Sequence, residues 1–386
     1  MNEKFTVMCI VGARPNFMKI APIIEAFKQH TPDISTILLH TGQHYDHAMK
    51  TLLFDQLGIP VPDIDLEVRG GSHAQQTANI MLKFEPVLAE HKPDALLVVG
   101  DVNSTIACAL VAIKMHIPVI HVEAGLRSRD IAMPEEVNRL LTDQISQLLF
   151  TTERLGDENL QAEGIGKDRI SFAGNVMIDT LLKNKEIAPS LAESLSINGI
   201  SDAMPAIAAK NGKFAFLTLH RPSNVDHKET LQQLLGAITK IANEIPIIFA
   251  VHPRTKGNLD KFGLSDVLAH KNIFTTPPVG YLDSITFMAN ACVVLTDSGG
   301  IQEETTALGV PCLTMRENTE RWITVTEGTN TIVGTDPDKL LSEFKNIMEG
   351  KGKAGRRPEL WDGEASVRIA QYIQRWFLSG KHKIQG

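Results

Sequence analysis

Residues 292–309 read CVVLTDSGGIQEETTALG, and this stretch decides the fold. An apolar, β-branched run leads to Asp297, two glycines follow Ser298, and a helix-forming segment opens near Ile301. A strand that ends in a tight polar turn and passes into a helix is the repeating unit of a parallel α/β sheet. Ser298 as an N-cap accounts for a turn. Two adjacent glycines go further, because they let a ligand approach backbone N–H groups at the positive end of a helix. The stretch therefore predicts a phosphate-binding loop at Ser298, Gly299 and Gly300. Glu304 lies one turn into the helix, where a carboxylate can accept from ribose hydroxyls.

The same rhythm extends in both directions. FTVMCIVG (5–12), STILLHTG (35–42), ALLVVGD (95–101), PVIHVEA (118–124) and QLLFTT (147–152) are strand-like, and each precedes a helix-like segment. The pattern restarts with KFAFLTLH (213–220), PIIFAVH (246–252), NIFTTPP (272–278), CVVLTD (292–297) and PCLTM (311–315). Continuous apolar runs are what buried parallel strands require. Each set opens on a strand ending in an Arg-Pro loop and later has a strand ending in Asp. We read two Rossmann-like doubly wound domains facing a central cleft, at 1–190 and 210–365, with the linker in the weakly patterned 184–212 stretch. The C-terminal stretch 366–386 has helical periodicity and is expected to pack back on a domain, the N-terminal one in our division.

The chain has 386 residues and 22% charged side chains, and its formal net charge of −7 excludes the basic face that nucleic acid or an anionic membrane demands. No apolar run reaches the roughly 20 residues of a membrane span. The N-terminal segment reads as a strand, not a leader peptide. Cys9, Cys108, Cys292 and Cys312 form no C-x-x-C pair, which argues against a zinc cage and for free thiols in a reducing, cytoplasmic setting. G-x-G-x-x-G, the P-loop and H-E-x-x-H are all missing, so nicotinamide, P-loop and zinc-hydrolase chemistry lose support. We expect no cofactor and no metal; His40, His44 and His47 read as a loop cluster.

Several groups at strand ends are suited to acid–base work. Asp101 follows ALLVVG, Glu123 follows PVIHV, Glu135 and Glu136 open a helix after Pro134, and His220 ends KFAFLTL. Each has a structural rival: an N-cap role for Asp101, helix-dipole complement for Glu135 and Glu136, core packing for His220. Glu123, next to an apolar strand, needs either a partner or a function, and Arg127 is the nearby partner. Arg14 and Lys19, in GARPNFMK, straddle the start of the first helix and are placed to hold a diphosphate.

GARPNFMKIAP, HTGQHYD, VVGDVNST, HVEAGLRS, MPEEVNR, LHRPSN, HPRT, LTDSGGIQEE and RENTER occur in that order across nearly the whole chain. Together they resemble the non-hydrolysing UDP-N-acetylglucosamine 2-epimerase family. The resemblance implies a GT-B-like architecture, a cytoplasmic homodimer and a role in cell-surface polysaccharide synthesis. It implies interconversion of UDP-GlcNAc and UDP-ManNAc, by anti-elimination of UDP to 2-acetamidoglucal and re-addition. By that resemblance Asp101, Glu123 and Glu135 are catalytic carboxylates, and His220 serves the diphosphate or a proton transfer. Arg14, Lys19, Ser298, Gly299, Gly300 and Glu304 match UDP-binding positions. Gln43 and His252 match positions of an activator site found in some members.

The sequence also departs from the family pattern. His220-Arg221-Pro222-Ser223-Asn224 replaces His-Arg-Arg-Glu-Asn, Gln43-His44-Tyr45 replaces Gln-His-Arg, and Trp322 replaces a proline. The tryptophan is familiar from relatives acting on UDP-diacetamido sugar acids, for whose carboxylate Arg129 is a candidate cation. Gln302-Glu303-Glu304 is the GlcNAc-type version. Alternatives are thus a hydrolysing epimerase that releases ManNAc and UDP, or a 2-epimerase of a UDP-2,3-diacetamido sugar acid.

Overall fold

The computed structural model describes residues 4–42 and 60–382, apart from the side chain of Arg14. Gln43, His44, Tyr45 and His47 lie outside the described residues. The chain forms two compact units, Met1–Thr180 with Glu359–Gly386, and Leu181–Pro358.

The first unit contains β1 (Phe5–Val11), β2 (Ile34–His40), β3 (Ile64–Asp65), β4 (Ala95–Val99), β5 (Val119–Ala124), β6 (Leu148–Thr151) and β7 (Ile170–Phe172). They form one parallel sheet in the order β3-β2-β1-β4-β5-β6-β7. Every residue of β4 and β5 is buried, as expected of central strands covered on both faces. On one face Met8, Ile10, Leu96 and Val98 pack against Ile80, Phe84 and Leu88 of the helix His73–His91.

The second unit contains β8 (Ala215–Leu219), β9 (Ile247–Val251), β10 (Ile273–Thr276), β11 (Val293–Thr296), β12 (Cys312–Thr314) and β13 (Asn330–Ile332). Their order, β10-β9-β8-β11-β12-β13, is again parallel throughout. Helix Lys228–Glu244 buries Leu231, Leu234, Leu235, Ile238 and Ile241, one stripe of a 3.6-residue period, against Leu217, Phe249 and Leu295. In each sheet the order reverses beside its first strand, at β1/β4 and at β8/β11. Such switch points are where open α/β sheets bind ligands, outside the strands' carboxyl ends.

The division differs from the sequence expectation. It falls at Thr180/Leu181, inside the helix Val176–Lys185, ahead of residue 190. The 184–212 stretch is no linker: helices Leu191–Ile197 and Ala203–Ala208 lie in it, and Leu195, Ile200, Ala203 and Ile207 pack on Phe214 and Phe216. Helices of two turns or fewer are too short to show periodicity. At the other end the chain rejoins the first unit from Glu359, before residue 366. Buried Trp361 donates Nε1–H to the Thr152 carbonyl at 3.0 Å. Asp179 accepts the N–H groups of Ala365 (3.1 Å) and Ser366 (2.7 Å), opening the helix Ala365–Leu378, and Phe377 stacks on Phe5 at 4.5 Å.

Candidate functional site

In the first unit, β1, β4 and β5 bring their carboxyl ends side by side. Asn16 fixes the loop after β1: its Oδ1 accepts from the Gly12 and Ala13 amides (3.2 and 2.9 Å), and its Nδ2 donates to the Val99 carbonyl (3.0 Å). One helical turn on, Lys19 forms a buried ion pair with Glu123 at the end of β5. Glu123 is therefore partnered by Lys19, not by Arg127 as its position in the sequence suggested. Arg127 turns instead to Asp143 (2.8 Å) and Glu163 (2.5 Å).

Glu123 has φ +72°, and the register of β5 on β6 shifts between Val122 and Ala124. A non-glycine residue in the left-handed region costs on the order of 1–3 kcal/mol and persists where its surroundings over-determine it. The bulge is pressed close: Gly125 has φ +80°, and a Cβ there would meet the Gly156 carbonyl oxygen at 2.5 Å.

Asp101 caps no helix; Val102 holds that position and the Asp101 side chain pairs with Arg139. Arg139 is buried and also pairs with Glu136 at 2.8 Å. Glu136 ties down the preceding loop, accepting from the Ser128 amide (2.9 Å), the Ser128 hydroxyl (3.0 Å) and the Arg129 amide (2.8 Å). Burial opposes its charge, but these donors and Arg139 outweigh it and hold its carboxyl below the usual range. Of the two adjacent acids, Glu136 is thus spent on structure, while half-buried Glu135 sits one residue nearer the start of the helix Pro134–Ile145.

In the second unit β8 and β11 supply the corresponding pair. The Asp297 carboxylate, fully buried, accepts from the His220 and Arg221 amides at 2.9 and 2.8 Å, from Asn224 Nδ2 at 3.1 Å, and faces His220 Nδ1 at 2.9 Å. Burial pushes against its charge, yet the His220 contact and the amides keep its carboxyl below the ordinary range. The His220 ring is partly exposed and lies 5.5 Å from that of His252. His252 caps the helix Pro253–Phe262, its Nδ1 accepting the Arg254 amide at 3.2 Å. Burial and the neighbouring His220 push the His252 ring's basicity down.

The helix after β11 begins at Gly299, earlier than Ile301, with Ser298 in the cap position and no capping bond from its hydroxyl. A Cβ at Gly299 would lie 2.7 Å from Glu320 Oε1, so a larger residue there would have to displace the Glu320 carboxylate. Glu320 pairs with Arg316 at 2.9 Å, and Arg321 with Glu303 at 3.3 Å. Burial opposes the Glu320 charge, but Arg316 and Arg321 pull its carboxyl down to about 2. Buried Arg316 Nη1 has no hydrogen-bond partner among the described residues, and Glu304 is also buried. Cations and a helix N-terminus thus converge on one edge of this sheet, an arrangement suited to an anion.

Sequence reading did not single out Arg139, Asp297 as a hub, His121, Asp143, Arg316 or Glu320. The Arg316–Glu320 spacing of four, inside RENTER, was the available signal; the others are brought together only by the sheet. Among the described residues no cluster of His, Cys, Asp and Glu is arranged to hold a metal, and no helix is long and apolar enough to cross a membrane. Cys9, Cys108 and Cys312 are buried free thiols, pushed up by burial, Cys312 to about 11.

Two doubly wound units of the same strand order define a two-domain Rossmann-like α/β protein of the GT-B kind. A family model described as UDP-N-acetylglucosamine 2-epimerase matches residues 26–374. A UDP-N-acetylglucosamine 2-epimerase homolog of Methanococcus maripaludis is 41% identical, over 95% of this chain and 99% of that protein. The UDP-2,3-diacetamido-2,3-dideoxy-D-glucuronate 2-epimerase of Pseudomonas aeruginosa is 39% identical, over 96% and 99%. The crystal structure of the Methanocaldococcus jannaschii UDP-GlcNAc 2-epimerase with UDP-GlcNAc and UDP aligns with a TM-score of 0.83 at 38% identity, over 96% and 99%. The chain belongs to the UDP-N-acetylglucosamine 2-epimerase family.

Proposed function

We propose that this chain is a non-hydrolysing epimerase that inverts C2 of UDP-N-acetylglucosamine to give UDP-N-acetylmannosamine. The observation that carries the reading is the Lys19–Glu123 pair, held by a strained bulge at the carboxyl end of β5 beside Asp101. In the reaction a base takes the C2 proton, the C1–O bond to the diphosphate breaks, and UDP leaves behind 2-acetamidoglucal. Re-addition of the same UDP to C1, with a proton delivered to the opposite face of C2, closes the cycle. Atoms balance without a redox cofactor.

The first unit supplies the proton-transfer groups Asp101, Glu123 and Glu135. The second supplies His220 on its Asp297 hub, and Ser298, Gly299 and Gly300 for the diphosphate, with Glu304 for ribose. Arg14 and Lys19 add positive charge. Such preorganised charge at a leaving group is the largest single contribution most enzymes make. The enzyme acts as a cytoplasmic homodimer, which sedimentation analysis of the purified protein checks.

A second substrate, a UDP-2,3-diacetamido sugar acid, is favoured by Trp322 in place of proline and by Arg129. Proton NMR of the protein with UDP-GlcNAc in deuterated water tests the reading. UDP-ManNAc carrying deuterium at C2, with UDP only in trace, is the expected result. Accumulating free ManNAc and UDP moves the enzyme to hydrolysis; an unchanged substrate, together with turnover of the diacetamido sugar acid, replaces the substrate.

A further inference from the structure

Beneath the Glu123 bulge lies a buried acid that the reaction does not use. Asp143, on the helix Pro134–Ile145, has no solvent exposure. Its Oδ1 accepts from His121 Nδ1 at 2.7 Å, and its Oδ2 from the Gly125 amide at 3.1 Å and from Arg127 at 2.8 Å. His121 stands two residues before Glu123 and Gly125 two residues after it, so one carboxylate clasps both shoulders of the bulge. The second ring nitrogen of His121 donates to the Gly100 carbonyl at 2.8 Å, and the Gly100 amide donates to the Val122 carbonyl at 3.1 Å. The end of β4 that carries Asp101 is thereby tied to the same clasp.

We propose that Asp143, acting with His121, is the positioning group that holds Glu123 in its left-handed turn and against Lys19. Nothing in a sheet's own ladder stabilises that turn, and a buried charge cluster is a costly way to fill a core that apolar side chains fill as well. Burial opposes the Asp143 charge, while the bonds from His121 and Arg127 hold its carboxyl below the usual range, so both oxygens stay acceptors. Asp143 touches none of the reacting groups; it acts through Glu123. The kinetic part of the inference rests on the epimerase reading, and the structural part does not.

The test is Asp143→Asn, in the full chain, read by crystal structure and by kinetics. The amide keeps the volume and one acceptor and loses the other. Glu123 is expected to leave positive φ or to release Lys19, and kcat for UDP-GlcNAc to fall by about 100-fold, the cost of misplacing a reacting group by roughly 1 Å. KM and the Kd for UDP should change far less than kcat, since of the groups assigned to UDP only Lys19 borders Glu123, and Ser298, Gly299, Gly300 and Glu304 belong to the other unit. Glu123 unmoved, or kcat within about threefold of wild type, overturns the proposal. Should Asp143→Asn fail to fold, two variants of His121 decide. His121→Asn preserves the donor toward Asp143 and is expected to keep at least about a tenth of wild-type kcat, whereas His121→Gln, which reaches Gly100 instead, is not. Equal activities, or the reverse order, refute the clasp. If the wild type itself fails to epimerise UDP-GlcNAc, the functional reading falls, and the backbone of Glu123 in these variants still judges the positioning role.

Discussion

Replacing Asp297 by Asn is the sharpest probe of the second unit. The carboxylate serves four donors: the amides of His220 and Arg221, Asn224 Nδ2 and His220 Nδ1. An asparagine of the same shape offers one oxygen, enough for the amides and Asn224, and turns its NH2 toward His220. The ring must then present an unprotonated Nδ1, reversing which nitrogen carries hydrogen. One charge-assisted bond is lost, worth about 1.5–3 kcal/mol. For a unit of this size that predicts a fall in Tm of about 5–10 °C by scanning calorimetry. The sign in acid follows from the depressed carboxyl. The folded chain binds fewer protons here than the unfolded chain, so the wild type loses this contribution as pH falls through the folded value, and the variant has none to lose. The two Tm curves should therefore converge in acid. Turnover should fall as well, with the pH profile altered, because His220 changes tautomer. An unchanged Tm at neutral pH combined with an unchanged pH profile would show that Asp297 neither anchors the loop nor sets the histidine.

Four further outcomes are expected. Glu123→Gln, an isosteric change that removes only ionisation, should lower kcat by about 100-fold or more while isothermal titration still detects UDP; full activity would take Glu123 out of the chemistry. Glu304→Ala should raise KM more than it lowers kcat, since ribose contacts bind ground and transition states alike; a selective loss of kcat contradicts the assignment. Glu320, held at about 2 in the folded chain, contributes stability present above its unfolded value and lost as pH falls toward 2. Glu320→Gln should accordingly flatten the acid limb of the stability curve measured by urea unfolding. Trp361→Ala should cost about 3–5 kcal/mol, from a large cavity and an unmet Thr152 carbonyl. A loss under about 1 kcal/mol would mean that the returning segment is not anchored there.

The sheets were legible because buried parallel strands are written as unbroken apolar runs, and ten of them stand out in the sequence. β3, β7 and β13 span two or three residues each, and the equally short β12 shows only because PCLTM extends its apolar run. The turn at Ser298–Gly300 declared itself through its glycines, and Glu123 through its incongruity beside an apolar strand. What partners Glu123 was not legible. Arg127 is four residues away and Lys19 more than a hundred, yet β5 lies one strand from β4, β4 one from β1, and the helix after β1 carries Lys19 to the same edge. Likewise Glu135 and Glu136 are equivalent as letters; only the loop at Ser128 and Arg129 distinguishes them. Strain at Glu123 has no compositional mark, because a left-handed backbone at a non-glycine residue is imposed by neighbours distant in sequence.

The chain leaves the first unit at Thr180 and returns to it only at Glu359. On the ribosome, at about 5–20 residues per second, the sheet carrying Asp101 and Glu123 is synthesised roughly 10–35 s before the segment that completes its unit. Throughout that interval Phe5 lacks the ring of Phe377, Asp179 lacks the amides it caps, and the Thr152 carbonyl lacks its indole. The second unit, contiguous in sequence, suffers no such wait. Synthesis order therefore makes the later-made unit the first able to finish, and leaves the earlier one to bind chaperones or stray chains in the meantime.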